Sequence, residues 1–291
     1  MLWRLRDRSL DIGHRALILG IVNATPDSFS DGGRFFDTDA AVAHALTLVD
    51  EGADLLDIGG ESTRPGAEPV PLDEELRRVV PVVRELRKRT ETPISVDTYK
   101  AEVARQCLAL GAQVINDVTA LTGDPDMPAV IQRFQPGVIL MHMQGTPRTM
   151  QIAPHYDDVI RDIRDYLRDR VDAAVALGLP RDNIAVDPGV GFGKTREHCL
   201  ELLARLAEFR SLGRPLCLGV SRKGFVGKVV DRPEGERLIG SLAIVADALA
   251  REAAQIVRVH DVRETRDVVR IAATLNEWRG EQDALSPGTG L

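Results

Sequence analysis

The sequence predicts an α/β protein: a single (β/α)8 TIM barrel with a short N-terminal extension closing the bottom of the barrel. Three observations carry that reading. Eight short runs rich in Val, Ile and Leu recur along the 291 residues. They lack the every-second-residue polarity of a sheet with one wet face, so they read as parallel strands covered on both sides. Segments of helical periodicity separate them. Polar residues collect where the runs end, the place where such a barrel keeps its site. An open doubly wound sheet is the rival architecture, but it usually has about five or six strands and a phosphate-binding turn after the first. No G-x-G-x-x-G follows the first run here.

The elements follow in order. "MLWRLRDRSLDIGHR" (1–15) is expected to form a hairpin or extension under the barrel. The barrel domain is expected over 16–278, opening with "ALILGIV" (16–22), which turns abruptly into "NATPDSFSDGG". The helical segment "DTDAAVAHALTLVDEGA" leads to "ADLLDIGG" (53–60), and "LDEELRRVVPVVRELRKRT" leads to "PISVD" (93–97). "QVINDV" (113–118) and "GVILMHM" (137–143) are the next two strands, and "DDVIRDIRDYLRDRVDAAVALGL" precedes "NIAVDPG" (183–189). "PLCLGVS" (215–221) and "QIVRVHD" (255–261) complete the eight. Gly52, Gly111 and Gly178 stand just past helical segments, as C-terminal caps do. The tail from 279 to 291 is polar, contains Gly and Pro, and is expected to be disordered.

Composition narrows the function. Hydrophobic residues at 44% and charged residues at 28% describe a globular protein that buries a core. A net charge of −7 argues against a nucleic-acid partner. It leaves room for an anionic small molecule, because a local cluster of Arg and Lys outvotes the global sign. Cys107, Cys199 and Cys217 have no metal-ligand spacing and suit a reducing compartment as small buried hydrophobes. No stretch reaches the length of a membrane span, so a cytoplasmic protein is the expectation.

Each strand end carries chemistry. The first ends in Asn23, the second in Asp57 followed by "GGESTRPG", the third in Asp97 and the fourth in Asn116 and Asp117. The fifth ends in His142, the sixth in Asp187, the seventh in Ser221-Arg222-Lys223 and the eighth in Arg258 and His260. Burying so many ionisable groups is costly without ligands or partners. Individually, Asp57 also reads as a barrel-interior residue bonded to its neighbours, His142 as a support behind the site, and Asp117 as a cap. Asp97, Asn116 and Asp187 suit a flat heterocycle, since a carboxylate accepts two parallel N–H bonds from a guanidine-like edge. Arg64, Arg222, Arg258 and His260 form a cationic half suited to phosphate or diphosphate. "GFGKT" (191–195) lacks the spacing of a nucleotide-binding P-loop and is discounted as one.

"NATPDSFSDGG", "DIGGESTRPGA", "SVDT", "INDV", "LMHMQGTPRTMQ", "DPGVGFGKT", "SRK" and "RVHDV" occur in this order over about residues 16 to 275. In these motifs the chain resembles the dihydropteroate synthase family, the target of sulfonamides. That family joins 6-hydroxymethyl-7,8-dihydropterin diphosphate to p-aminobenzoate, releasing pyrophosphate and giving 7,8-dihydropteroate for folate biosynthesis. The resemblance implies a pterin pocket of Asp97, Asn116, Asp187, Phe192 and Lys223. It implies a diphosphate site of Asn23, Thr63, Arg64, Arg258 and His260, with Asn23 also a ligand of Mg²⁺. The p-aminobenzoate site it implies comprises Phe29, Thr63, Arg64, Pro65, Phe192 and Ser221, with "NATPDSFSDGG" as a lid over both substrates. Catalytic work falls to Asp97, Lys223, Arg258 and His260, in a dissociative reaction where diphosphate leaves before the aniline nitrogen attacks. The resemblance also implies a homodimer formed through helices far from the lids, for which "LIGSLAIVADALA" (238–250) is a candidate surface. The alternatives are a methyltetrahydrofolate-binding methyltransferase domain and a non-catalytic pterin-binding paralogue. The first should lack "ESTRPG" and "SRK", and the second should show degraded lids.

Overall fold

A computed structural model describes residues 1–25 and 38–285. The extension folds as an antiparallel hairpin of β1 (Leu2–Arg4) and β2 (Ser9–Asp11). Eight parallel strands follow: β3 (Leu17–Asn23), β4 (Leu55–Gly59), β5 (Ile94–Asp97), β6 (Val114–Asp117), β7 (Gly137–Met141), β8 (Ile184–Asp187), β9 (Cys217–Gly219) and β10 (Ile256–Val259). They pair in sequence order from β3 to β8, with β10 between β3 and β9. The ring closes between β8 and β9 through a Val186–Leu216 bridge, where the Val186 N–H donates to the Pro215 carbonyl at 2.9 Å. The (β/α)8 barrel read from the sequence is the fold.

Helices α1 (Thr38–Glu51), α2 (Leu72–Arg89), α3 (Ala101–Ala109), α4 (Met127–Phe134), α5 (Val159–Ala176), α6 (Arg196–Ala204), α7 (Gly224–Val230), α8 (Leu238–Ala250) and α9 (Val262–Leu285) lie between and after the strands. Gly52, Gly111 and Gly178 take φ of +108°, +103° and +89° past α1, α3 and α5, as the capping expectation requires. The last helix runs to Leu285, beyond the boundary at 279 set for a structureless tail. Positions 279 to 285 hold one glycine and no proline, so nothing there stops a helix, and the first stop signal is Pro287. Residues 286–291 lie outside the described residues.

The core has two parts. A large shell packs the outward faces of the strands against the helices. A smaller cluster fills the lower barrel: Leu17, Leu19, Leu55, Val114, Ile139, Ala185, Cys217 and Ile256 point inward, and Trp3 and Leu5 of the extension close it from below. Trp3 is fully buried, and its indole N–H donates to the Asn183 carbonyl at 2.9 Å. That cluster also fixes what stands above it. Side chains alternate along a strand, so the parity of Leu55 carries Asp57 and Gly59 inward. In the same way Val114 carries Asn116, Ala185 carries Asp187, Cys217 carries Gly219, and Ile256 carries Arg258. The lower layer is apolar and plugged; the upper one is polar.

Candidate active site

Strand register sets the first half of the site. Gly59 pairs with Asp97, and Asp97 with Asn116, on neighbouring strands β4, β5 and β6. Arg258 reaches across from β10: its Nε donates to Asp57 Oδ2 and its Nη2 to Asp97 Oδ2, both at 2.6 Å. Asn116 Nδ2 donates to the same Asp57 oxygen at 3.0 Å. Asp57 is fully buried, and its Oδ1 has no hydrogen-bond partner within the chain. Asp57 is thus a barrel-interior residue bonded to its neighbours, and those neighbours are site side chains. Burial pushes the Asp97 carboxyl up to about 7; Arg258 opposes that shift and Asp57 adds to it. Burial works against the Arg258 charge, and Asp57 and Asp97 more than offset it, so the guanidinium is held above its ordinary value.

The second half is built by the turn after β8. Gly189 has φ +65°, and a Cβ there would stand 1.9 Å from the His142 carbonyl oxygen, so only glycine fits this close approach. The turn delivers the Gly189 N–H to Asp187 Oδ1 at 2.7 Å and brings Phe192 over the barrel mouth, its N–H donating to the Gly189 carbonyl. Lys223 donates to the Val190 carbonyl, with its ammonium 4.5 Å from the Phe192 ring centroid. Burial raises the Asp187 pKa, opposed mainly by Lys223, while burial lowers Lys223 to about 8 against the pull of Asp187. Gly219 marks where these groups converge. A Cβ there would lie 3.8 Å from Asp187 Oδ2 and 4.0 Å from both Lys223 Nζ and Arg258 Cβ. Its missing side chain keeps that floor open.

The structure therefore brings Asp97, Asn116, Asp187, Phe192, Lys223 and Arg258 together above the apolar plug. Ser221 and His260 stand beside them, with His260 Nδ1 3.0 Å from Ser221 Oγ and the His260 N–H donating to it at 3.2 Å. His260 belongs to the cationic half read from the sequence, and in the chain without an anion its surroundings disfavour the charge. Burial, then the Arg258 and Arg222 charges, push its pKa down to about 4, so it is neutral near pH 7. Arg222 is turned onto Asp261, its Nε donating to Oδ2 at 3.1 Å. Asn23 ends β3 next to Gly59. Thr63, Arg64 and Pro65 sit on the loop after β4, where Arg64 and Pro65 are exposed. Phe29 and most of the first lid lie outside the described residues.

Two open assignments are settled. Asp117 faces away from the barrel interior: Oδ1 accepts from the Thr119 N–H and hydroxyl, each at 2.7 Å, and Oδ2 from the Leu121 N–H at 3.0 Å. It shapes a turn. His142 is buried against Tyr166 at a ring distance of 4.9 Å, with Nδ1 3.0 Å from Lys194 Nζ. It supports the wall from behind. Lys194 was passed over with "GFGKT", yet it is buried and donates to the Phe192 carbonyl at 2.9 Å, fixing that turn. Burial lowers its pKa to about 7. Gly219 was also missed, although an isolated glycine inside a strand signals a close approach.

A divalent cation is tested by its donors. Among the described residues no group of three His, Cys, Asp or Glu side chains is arranged to hold a metal. Mg²⁺ needs no such cage, because it keeps waters and takes few protein ligands alongside substrate phosphates. The carboxamide of Asn23, half-buried at the strand end, fits that mode.

Comparison with known proteins agrees with this geometry. The family described as pterin binding enzyme matches residues 19–260. The dihydropteroate synthase of Synechocystis sp. is 46% identical over 270 residues, covering 92% of each chain. The Yersinia pestis dihydropteroate synthase, solved with a sulfonamide drug, superposes with a TM-score of 0.90 at 43% identity, over 95% of this chain and 100% of that one. The Xanthomonas albilineans dihydropteroate synthase in complex with 7,8-dihydropteroate gives 0.84 at 41% identity, over 95% and 99%.

Proposed function

The chain belongs to the dihydropteroate synthase family of pterin-binding enzymes, and from that premise we propose how its residues condense 6-hydroxymethyl-7,8-dihydropterin diphosphate with p-aminobenzoate. The carrying observation is the convergence of buried carboxyl groups. Asp57, Asp97 and Asp187 meet at the pocket, with Arg258 bonded to the first two and Lys223, Arg258 and Lys194 acting on the third. Carboxyl groups fixed around the ring position suit a ring that becomes cationic. Asp187 accepts the paired N–H groups of the aminopyrimidine edge, Asn116 and Asp97 hold the far side of the ring, and Lys223 donates to its carbonyl. Phe192 lies over the opening. The bond between the pterin methylene carbon and the diphosphate oxygen breaks first, with both electrons leaving on oxygen. The aniline nitrogen then attacks the carbon and loses its proton.

Asn23, Thr63, Arg64 and His260 meet the diphosphate, and the anion raises the proton affinity of the His260 imidazole. Asn23 would hold Mg²⁺ on the protein side, and the ion would supply charge neutralisation to the leaving group. Ser221 joins Thr63, Arg64 and Pro65 around p-aminobenzoate. Intact "ESTRPG" and "SRK" sequences favour this reading over a methyltransferase domain or a non-catalytic paralogue. The deciding assay follows pyrophosphate release from the pterin diphosphate. Release that requires p-aminobenzoate and yields dihydropteroate supports the reading; no release with either substrate set refutes it.

We place the chain in the cytoplasm, since no described helix is long and apolar enough to cross a membrane and all three cysteines are free and buried. A homodimer is supported by the exposed Ile239 on α8 and by the exposed Ile271, Leu275 and Trp278 along one face of α9. Sedimentation as a monomer at enzyme-assay concentrations would overturn it.

A further inference from the structure

A cluster of buried charge lies outside the pocket just described. Lys100 donates to both Glu61 and Glu75, and the three side chains are 14%, 8% and 1% exposed. Two carboxylates around one ammonium, so far from water, form an expensive arrangement whose return lies in what it holds in place. Glu61 stands at the start of the loop after β4 and uses both oxygens. Oε1 accepts from the Tyr99 hydroxyl at 3.2 Å, and Oε2 accepts from the Val70 N–H at 3.1 Å, nine residues further on. The Glu61 side chain therefore ties the two ends of the loop 61–70 into a closed neck. Beyond the neck, Glu68 on the tip pairs with Arg148 at 3.4 Å. Ser62, Arg64, Pro65 and Gly66 are exposed, the turn closes from the Ala67 N–H to the Arg64 carbonyl, and the Gly66 N–H reaches the Pro147 carbonyl at 2.9 Å.

The other end of the cluster belongs to β5. Thr98 and Lys100 follow Asp97 directly; the Thr98 hydroxyl donates to Glu75 Oε1 at 2.7 Å and accepts from the Lys100 N–H at 3.1 Å. One short chain of contacts thus runs from the pterin-side Asp97 through Thr98 and Lys100 to Glu61 and the loop carrying Thr63 and Arg64.

We propose that Glu61 and Lys100 are positioning residues for the second substrate: they hold the neck of the loop 61–70 and so set the geometry in which it receives p-aminobenzoate. This rests on the reading that the loop serves that substrate. A loop populating its receptive shape only part of the time weakens binding by that fraction. Losing the charge-assisted bond at the neck shifts that population by about tenfold or more. Steady-state kinetics on Glu61→Gln, Lys100→Gln and Lys100→Arg test it, with Arg64→Ala as reference and a thermal melt run on each. The first two are expected to raise KM for p-aminobenzoate about tenfold and, because Thr63 and Arg64 also meet the diphosphate, to raise KM for pterin diphosphate by a clearly smaller factor, leaving the saturating kcat within about twofold. Lys100→Arg keeps the charge and should restore most of the loss. Unchanged p-aminobenzoate KM in both Gln variants, while Arg64→Ala raises it, overturns the positioning role alone. An unchanged value in Arg64→Ala as well overturns the assignment of the loop. Equal loss for both substrates, tracking the melting temperature, would mark the cluster as structural only and also refutes the proposal.

Discussion

Replacing Arg258 by Met removes one cation and leaves two carboxylates facing each other inside the barrel. Arg258 is about one-fifth exposed, while Asp57 and Asp97 are almost wholly buried and held by its two 2.6 Å contacts. Breaking a buried pair on one side costs about 3–5 kcal/mol. The partial exposure of Arg258 puts the expected loss near the lower end, about 3 kcal/mol at pH 8.5. The loss should also depend on pH, with a definite sign. Asp97 titrates at about 7 in the folded protein, far above an unfolded carboxyl, and losing its contact cation raises it further. The folded variant then holds a proton that the unfolded chain has released, so its stability falls as pH rises. As the pH falls through about 7, Asp97 takes up its proton with or without Arg258, and the difference narrows.

One proton contributes at most about 1.4 kcal/mol per pH unit, so from pH 7 to 8.5 the deficit grows by about 2 kcal/mol. Urea unfolding of both proteins at pH 6 and 8.5 measures this directly: a deficit near 1 kcal/mol is expected at the lower pH and near 3 at the higher, each about. A deficit below about 1 kcal/mol at pH 8.5, or one larger at pH 6, would refute the claim that Arg258 neutralises buried carboxylates. The geometry also revises a division drawn from sequence, in which Arg258 and His260 serve the diphosphate alone. As counter-ion to Asp97, Arg258 supports the ring half as well, and its loss should weaken binding of a diphosphate-free pterin.

Asp187→Asn should weaken pterin binding by about 2–4 kcal/mol, because the amide offers one acceptor and turns an NH₂ toward a donor edge; near wild-type affinity in calorimetry would remove Asp187 from the pocket. Trp3→Ala should lower unfolding stability by about 3–5 kcal/mol, since it empties the fully buried plug and breaks the bond to Asn183; a loss under about 1 kcal/mol would mean that the extension is not part of the barrel core.

The barrel was legible because its signal is local and repeated. A buried parallel strand announces itself in four or so apolar residues, and a polar residue stands at or within two positions of the end of each of the eight. Pocket membership was legible for a related reason. Two-residue alternation sends Asp57, Asp97, Asn116, Asp187 and Arg258 to one interior and turns Asp117 away from it. What alternation does not carry is pairing. Asp57 and Arg258 are separated by 201 positions, and Asp97 and Arg258 by 161, so only barrel closure makes them partners. The neutral state of His260 has the same origin, since burial beside Arg258 and Arg222 exists only after folding. Lys194 was illegible for a different reason: a lysine in a polar loop reads as solvated, and nothing local says that His142 and the Phe192 carbonyl will enclose it.

These long-range pairings bear on how the site works. Each buried carboxylate of the wall already has an internal partner, Arg258 for Asp57 and Asp97, and Gly189 with Lys223 for Asp187. The groups are thus held in place before a substrate arrives, and little reorganisation is needed as charge develops, which is the condition under which fixed charges stabilise a transition state most effectively. Internal pairing also limits how many acceptor positions remain. Asp57 Oδ1 is buried with no partner in the chain, while both Arg258-bound oxygens are occupied. The barrel therefore offers the ring a few preset acceptors in fixed directions, and the apolar plug of Trp3 and Leu5 beneath keeps water from competing for them from below. On the proposed function, recognition and charge stabilisation draw on the same carboxylates, so a substitution that relaxes one is expected to relax the other.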